Sequence, residues 1–596
     1  MKYFLALTLM ASLYGGEMNL PRTWQLKSIY ASPQAAEEDC ERLKKEFAAI
    51  SALLEREATA STIVRFDHAT AAYKQVEAYL SCRLADSPQD PSVHALQARS
   101  SLLAAEGEKA LFLLGYTLSL LDAPRFEALL KDPKLANLSF FLRERRHISS
   151  ELLDKGREKL ISALSVDGYH SYWSLYRLIV SKMQITYEGK KLSVGQADNL
   201  LTSPDRAVRQ EAFSLLNAAW AEQADLLAQI LNYMAGFRLQ VFAERGWNDV
   251  LHEPLLNNRM QKSTLDAIWK AIENKRHLLV RYLEDKARLL GVEKLSWTDV
   301  YAPIGTTHTT LSYDEGATMV LDTFKQRHPQ MAAFAKTALE KGWIESEDRP
   351  GKQAGGFCTS FPLTGESRIF LTYNGTLDNV STLAHELGHA YHNECVRSLP
   401  FFAQDYKMNV AETASTLAEM MVIDGAISKA AEDEKLVLID DKLQRAVAFL
   451  MNIYARFLFE TAFYAERKNG FVPPERLSQL MVEAQQKAFG NALADWNPYF
   501  WASKLHFYIT DVQFYNFPYT FGFLLSLGIY TRSARDSDFA HKVDLFLKDS
   551  ALFTVEELAK KHLGVDLTKT DFWESAIDSL IPDFETYSKQ TVRTQS

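Results

Sequence analysis

Apolar residues recur at helical spacing along most of this chain. They do so across residues 33–57, 68–85, 90–123 and 205–245, with charged residues filling the positions between. On a 3.6-residue helix that spacing gives each stretch one apolar stripe, which must be buried against a neighbour. Many long stretches of this kind, joined by short links, predict a mostly α architecture of helix packed on helix. The chain is long enough for a large core: 596 residues, 47% apolar and 24% charged, an ordinary globular mix. Leu120-Leu121-Asp122-Ala123-Pro124 predicts a helix end and restart. No fixed-period repeat breaks the pattern.

Two segments have a different texture. In Met183–Val194, alternating residues flank Glu188-Gly189-Lys190, which predicts a β-hairpin. Ser203-Pro204-Asp205 follows and reads as a helix start, with Ser203 as the cap and Pro204 in the first turn. The main domain boundary is expected here, giving an N-terminal helical domain over 18–195 and a catalytic domain over 196–596. The second segment, 351–375, is rich in Gly, Ser and Thr. Within it Ser367–Tyr373 reads as a strand and Asn374-Gly375 as a turn, with a helix from about Leu377.

The formal net charge of −9 and the lack of any lysine-arginine run argue against a nucleic-acid partner. The four cysteines, Cys40, Cys82, Cys358 and Cys395, are far apart and suit a reducing compartment better than a disulfide framework. Residues 1–17 hold one lysine and an apolar run of signal-peptide length, too short to span a bilayer. They read either as a signal-like leader, implying a periplasmic or secreted product, or as sequence upstream of a true start at Met18. A cytoplasmic product without a stable membrane partner is the expectation.

The chemistry is concentrated in His385-Glu386-Leu387-Gly388-His389, set in a helical pattern. Residues four apart share a helix face, so His385 and His389 can direct two imidazoles at one ion. Glu386 lies about 100° round the helix, within reach of a water on that ion. Zinc makes such a water acidic, and Glu386 is the base that takes its proton.

A catalytic zinc takes three protein ligands and keeps an open position. A third histidine six residues past His389 is ruled out, because Cys395 stands there. The alternative is a carboxylate from a later helix, and Asn409–Glu419 supplies Glu412. Glu419 lies two helical turns beyond it on the same face, and is expected to hold a ligating histidine from behind. His392 reads as a packed or solvated histidine. The His-His-Glu set favours one Zn2+.

Amide hydrolysis also needs donors for the developing oxyanion, such as Tyr hydroxyl or His N–H groups. The segment His506–Gly522 is dense in them, with Tyr508, Tyr515 and Tyr519 among its aromatics.

Ala384–Ala390, Ala411–Thr416, and His506-Phe507-Tyr508 with Phe514–Tyr519 together resemble oligoendopeptidase F, a bacterial branch of the thimet-oligopeptidase group. Asn19–Trp24 resembles the start of such proteins. The resemblance implies a helical, clam-like molecule with a deep central channel and a small β-sheet beside the HExxH helix, acting on short peptides. It implies His385, His389 and Glu412 as zinc ligands and Glu386 as the general base. It assigns His506, Tyr515 and Tyr519 to oxyanion and substrate binding, with Tyr508 a further candidate. It also implies a substrate-pairing strand carrying Ile369 and Leu371, and a flexible loop at Gly355-Gly356. The function expected is a zinc endopeptidase cleaving internal bonds of oligopeptides. The alternatives are an aminopeptidase, for which no GxMEN-like segment is found, and a peptide-binding protein on the same fold.

Overall fold

The computed structural model describes residues 19–305, 310–353, 355–533 and 538–594. The leader 1–17 and Met18 lie outside them. Helices dominate, and the expected long ones are present as Pro33–Leu54, Ala60–Asp86, Pro91–Ser119 and Arg206–Arg245. The break near Leu120 is real: Asp122 caps the next helix by accepting from Arg125 N, with Pro124 in its first turn. The helix from Arg206 differs from expectation in its start. Its cap is Asp205, which accepts from Ala207 N, while Ser203 Oγ accepts from Asp205 N one turn earlier. Asp205 makes the closer contact, 2.9 Å against 3.2 Å, and its carboxylate also meets the positive end of the helix dipole.

The predicted hairpin is formed by β1 (Ile185–Tyr187) and β2 (Lys190–Leu192). Glu188 and Gly189 both have positive φ, 48° and 75°, as the tight turn that matches strand twist requires. A three-stranded sheet comprises β3 (Ile344–Glu345), β4 (Phe357–Phe361) and β5 (Glu366–Phe370), in the order β3-β5-β4. β5 is the central strand, parallel to β3 and antiparallel to β4.

Two hydrophobic cores organise the molecule. One is built mainly from residues 24–142, the other from Leu20 and residues 169–587. The amino-terminal run of the first core ends at Leu142, and the second resumes at Tyr169. The sheet belongs to both cores: Phe361 and Phe370 lie in the first, Ile369 and Leu371 in the second. The segment before the first helix laces them together. Leu20 enters the second core and Trp24 the first, where its ring meets those of Phe357 and Phe370. Among the described residues one helical run, Glu434–Arg467, is long and apolar enough to cross a membrane by length and composition; 67% of its apolar window is buried inside the protein.

Candidate metal centre and active site

The motif helix, Leu377–Val396, starts at Thr376, whose hydroxyl accepts from Asn379 N. A second helix, Met408–Lys429, packs across it, and a third, Phe517–Ser533, packs across the second. Two glycines set these crossings. A Cβ on Gly388 would stand 2.6 Å from Ala414 O and 2.6 Å from Ser415 Cα, so only glycine permits the approach. A Cβ on Gly522 would lie 3.1 Å from Asn409 O and 3.2 Å from Glu412 Cβ. The first crossing brings Glu412 over the two histidines. The second brings Tyr519 beside Glu412.

The three expected ligands converge. His385 Nε2 and His389 Nε2 are 3.1 Å apart, and Glu412 Oε2 is 3.3 Å and 3.4 Å from them. Donors about 2.0–2.1 Å from a tetrahedral zinc stand about 3.3 Å from one another, so this triangle fits such an ion. His385, His389 and Glu412 are the one His/Cys/Asp/Glu group among the described residues with that convergence. Each side chain keeps 20–24% of its surface open, leaving a face for water or substrate.

The charges fit a cation as well. Burial alone would lower the His385 imidazole, but the hydrogen bond and charge of Glu419, with Glu412 and Glu386, raise it to about 9. Burial pushes Glu412 up, yet His389, His385 and the Ser415 hydroxyl together hold it at about 2. Three carboxylates around two imidazoles draw a positive charge into the site. Glu419 Oε1 lies 3.0 Å from His385 Nδ1, the orienting position expected for it. Ser415 Oγ donates to Glu412 Oε2 at 2.9 Å.

Glu386 is 6% exposed, and its Oε2 has no hydrogen-bond partner. Burial raises its carboxyl, the neighbouring imidazoles lower it, and Glu412 and Glu419 raise it again; the net direction is upward. Gly356 lies beside it: a Cβ there would be 3.5 Å from Glu386 Oε1 and 3.2 Å from Phe370 O. Gly355 is exposed with φ of 99°. The expected Gly-Gly loop thus borders the base.

His506, Tyr515 and Tyr519 form one aromatic group. The His506 ring centre is 5.6 Å from that of Tyr515 and 6.2 Å from that of Tyr519, and the two tyrosines are 5.2 Å apart. Burial, then the charges of Arg456 and Lys504, hold His506 down at about 4, so it is a neutral N–H donor near pH 7. Tyr519 responds to the charge of Glu412, which ties this group to the metal triangle.

The family model of peptidase family M3 matches residues 199–579, and that of oligopeptidase F matches 118–185. The chain belongs to peptidase family M3. That places it among the metallopeptidases, in the group its motifs resemble. An oligoendopeptidase F homolog of Lactococcus lactis subsp. lactis is 26% identical over 397 residues, a match covering 65% of each chain. Oligopeptidase PepF of Bacillus subtilis is 23% identical over 398 residues, covering 65% of this chain and 58% of the relative. The chain thus spans a little under two-thirds of the length of these curated relatives. A protein described as a peptidase from Chlamydophila abortus has the same fold, with a TM-score of 0.83 at 19% identity over 95% of this chain and 98% of that one. Oligoendopeptidase-F from Enterococcus faecium gives 0.69 at 20% identity over 94% and 99%.

Two expectations for this M3 chain need correction. Ile369 and Leu371 do not face a peptide. Ile369 lies in the central strand β5 and Leu371 just past its end; Ile369 N donates to Trp343 O and Leu371 N to Glu345 O, and both side chains are buried. The sheet has two outer strands, β3 and β4, and β4 begins at Phe357, directly after Gly356. Tyr508 is wholly buried, its ring stacked at 4.0 Å on Tyr176, so it has no surface to offer a substrate. The large apolar ring outweighed its hydroxyl. His392 is packed, buried against Tyr406 with Nε2 2.8 Å from Ser550 Oγ.

Sequence reasoning missed three supports. Arg445 donates to Glu419 at 2.7 Å. Ser415 lies within the Ala411–Thr416 segment, three residues past Glu412, and that helical spacing is the signal that places it beside the ligand. Glu460 is buried and accepts from Phe514 N at 3.1 Å and Asn516 Nδ2 at 2.7 Å, on either side of Tyr515. Nothing in the local sequence marks Arg445 or Glu460.

Proposed function

We propose that this protein is a zinc endopeptidase that hydrolyses internal bonds of short oligopeptides. The observation that carries the reading is the His385–His389–Glu412 triangle with the buried, unpartnered Glu386 carboxylate beside it. His385 Nε2, His389 Nε2 and Glu412 Oε2 would hold the ion, and bound zinc would acidify water and polarise the scissile carbonyl.

The chain's own groups perform the rest. Glu386 takes a proton from the attacking water as its oxygen bonds to the carbonyl carbon. The same carboxyl then delivers that proton to the amine nitrogen as the C–N bond breaks. Its upward-shifted affinity suits both halves of this exchange. His506, neutral near pH 7, and the hydroxyls of Tyr515 and Tyr519 donate to the carbonyl oxygen as charge grows on it. Glu419 keeps the His385 ring turned to its task. A peptide adding its backbone to the sheet would do so at β4, next to Gly356, a mode that tolerates varied side chains.

The test is cleavage of a quenched, end-blocked peptide of about ten residues, a length suited to an extended strand-like substrate. Wild type, wild type with chelator and Glu386→Ala are compared. Cleavage at an internal bond by metal-loaded wild type alone is expected. Silence of the loaded wild type across a mixed peptide library overturns the endopeptidase reading.

A further inference from the structure

Arg456 carries a charge that the protein does not neutralise. It stands on the helix Ile453–Arg467, where its Nε donates to Asn452 Oδ1 at 2.9 Å and its Cζ lies 5.4 Å from the centre of the Phe500 ring. Lys504 Nζ lies 5.0 Å from the centre of the same ring, so one aromatic ring serves two cations, and Lys504 stands two residues before His506 in the chain. Neither makes an ion pair with a carboxylate among the described residues, and the Nη groups of Arg456 have no protein acceptor there. Asp198 acts on Lys504 without forming an ion pair with it, and burial first, then the charge of Arg456, lowers the Lys504 ammonium to about 8.

The pair belongs to the active-site side of the molecule. Arg456 stands one helical turn before Glu460, which holds the main chain on either side of Tyr515, and Lys504 stands two residues before His506, whose ring centre is 5.6 Å from that of Tyr515. After burial, the charges of both also lower the His506 imidazole. Two part-buried like charges without a counter-ion are costly. The cost is offset when a ligand brings the missing negative charge. A guanidinium with both Nη groups free is shaped for a bidentate carboxylate, and an adjacent ammonium adds a third donor.

We propose that Arg456 and Lys504 form a carboxylate-binding subsite beside His506 and Tyr519, which anchors peptide substrates through an acidic group. This rests on the peptidase reading and specifies its substrates: peptides with a carboxylate at a fixed distance from the scissile bond. That carboxylate comes either from the C-terminus or from an Asp or Glu side chain.

A nested peptide set distinguishes the two sources. One series extends about one to five residues past the scissile bond, each member as free acid and as amide. The other is amidated throughout, with Glu or Gln at each position; the lengths follow from strand-like binding. For wild type, one acidic peptide is expected to exceed its neutral twin about tenfold or more in kcat/KM, mostly through KM. In Arg456→Gln and in Lys504→Met that ratio falls towards one, and Arg456→Lys restores part of it. Lys504→Met provides the reading if Arg456→Gln does not fold. A preference at one length of the free-acid series identifies the C-terminus; one in the Glu/Gln series identifies a side chain. Equal cleavage of all twins by wild type overturns the proposal. So does a preference that survives both substitutions, or an equal loss for both twins, which would make the cations mere scaffold. If the peptidase reading itself is wrong, no peptide of either series is cleaved, and the proposal falls with it.

Discussion

Glu419 bridges His385 and Arg445: one oxygen lies 3.0 Å from the imidazole Nδ1 and the other accepts from the guanidinium at 2.7 Å. The bridge fixes the plane of the His385 ring and keeps Nε2 free for a metal. Groups of this kind are worth about 10–100-fold in metal affinity. Glu419→Ala should weaken zinc binding by that factor in a chelator competition. Unchanged affinity would leave Glu419 with no role at the centre.

The contact of Gly388 with Ala414 and Ser415 is backbone against backbone, so nothing flexible can yield to a methyl group there. Gly388→Ala should push the two helices apart and cost about 1–3 kcal/mol or more. It should also lose metal, because Glu412 rides on the displaced helix. Gly522→Ala, with its longer approaches, should be milder. Thermal melts and metal content of the purified variants decide the matter; a stable, fully loaded Gly388→Ala would refute the account.

Glu460 holds the loop that carries Tyr515. Phe514 there has a φ of 50°, a strained value for a bulky residue that persists only if its surroundings enforce it. Glu460→Ala would leave Phe514 N and the Asn516 amide buried and unpaired, at about 1–3 kcal/mol each. Turnover should fall in parallel, with zinc affinity retained. Loss of zinc together with turnover would point to general unfolding instead.

His392 makes the fold acid-sensitive. Burial first, then the charge of His389, depresses its imidazole to about 3. An unfolded histidine titrates near 6.5, so below that value the unfolded chain binds the extra proton. Stability is full above about pH 6.5 and falls as the pH drops towards 3. At pH 5 the loss is about 2 kcal/mol. Denaturant midpoints at pH 7 and pH 5 should therefore differ less for His392→Gln than for wild type. Equal differences would exclude His392 as the source.

The parts of the site visible in the sequence were those whose spacing is local. His385, Glu386 and His389 lie within one and a half helical turns, and Glu412 with Glu419 within two, so helix geometry alone predicts which way they face. The hairpin and the 367–373 strand were legible for the same reason: alternation and turn residues are short-range signals. Strand order is not short-range. β5 is enclosed because β3 and β4 come to it from opposite sides, and nothing in the pattern of Ile369 and Leu371 separates a buried central strand from a half-buried edge. Tyr508 failed similarly, since its neighbour Tyr176 is brought to it only by tertiary packing. Arg445, Arg456 and Glu460 stand on helices whose periodicity looks ordinary, and their roles arise from distant partners.

The lacing of the two cores has a practical side. The M3 match begins at residue 199, which invites expression of the remainder as a free-standing catalytic unit. Phe361 and Phe370, however, spend their apolar surface on the first core, where Trp24 packs on Phe370. A fragment cut at 199 would present that sheet face, a few residues from the HExxH helix, to solvent as an adhesive strip. Exposed strands of this composition associate with one another. The family boundary is thus a unit of descent, whereas the packing unit that closes over the sheet includes the amino-terminal helices.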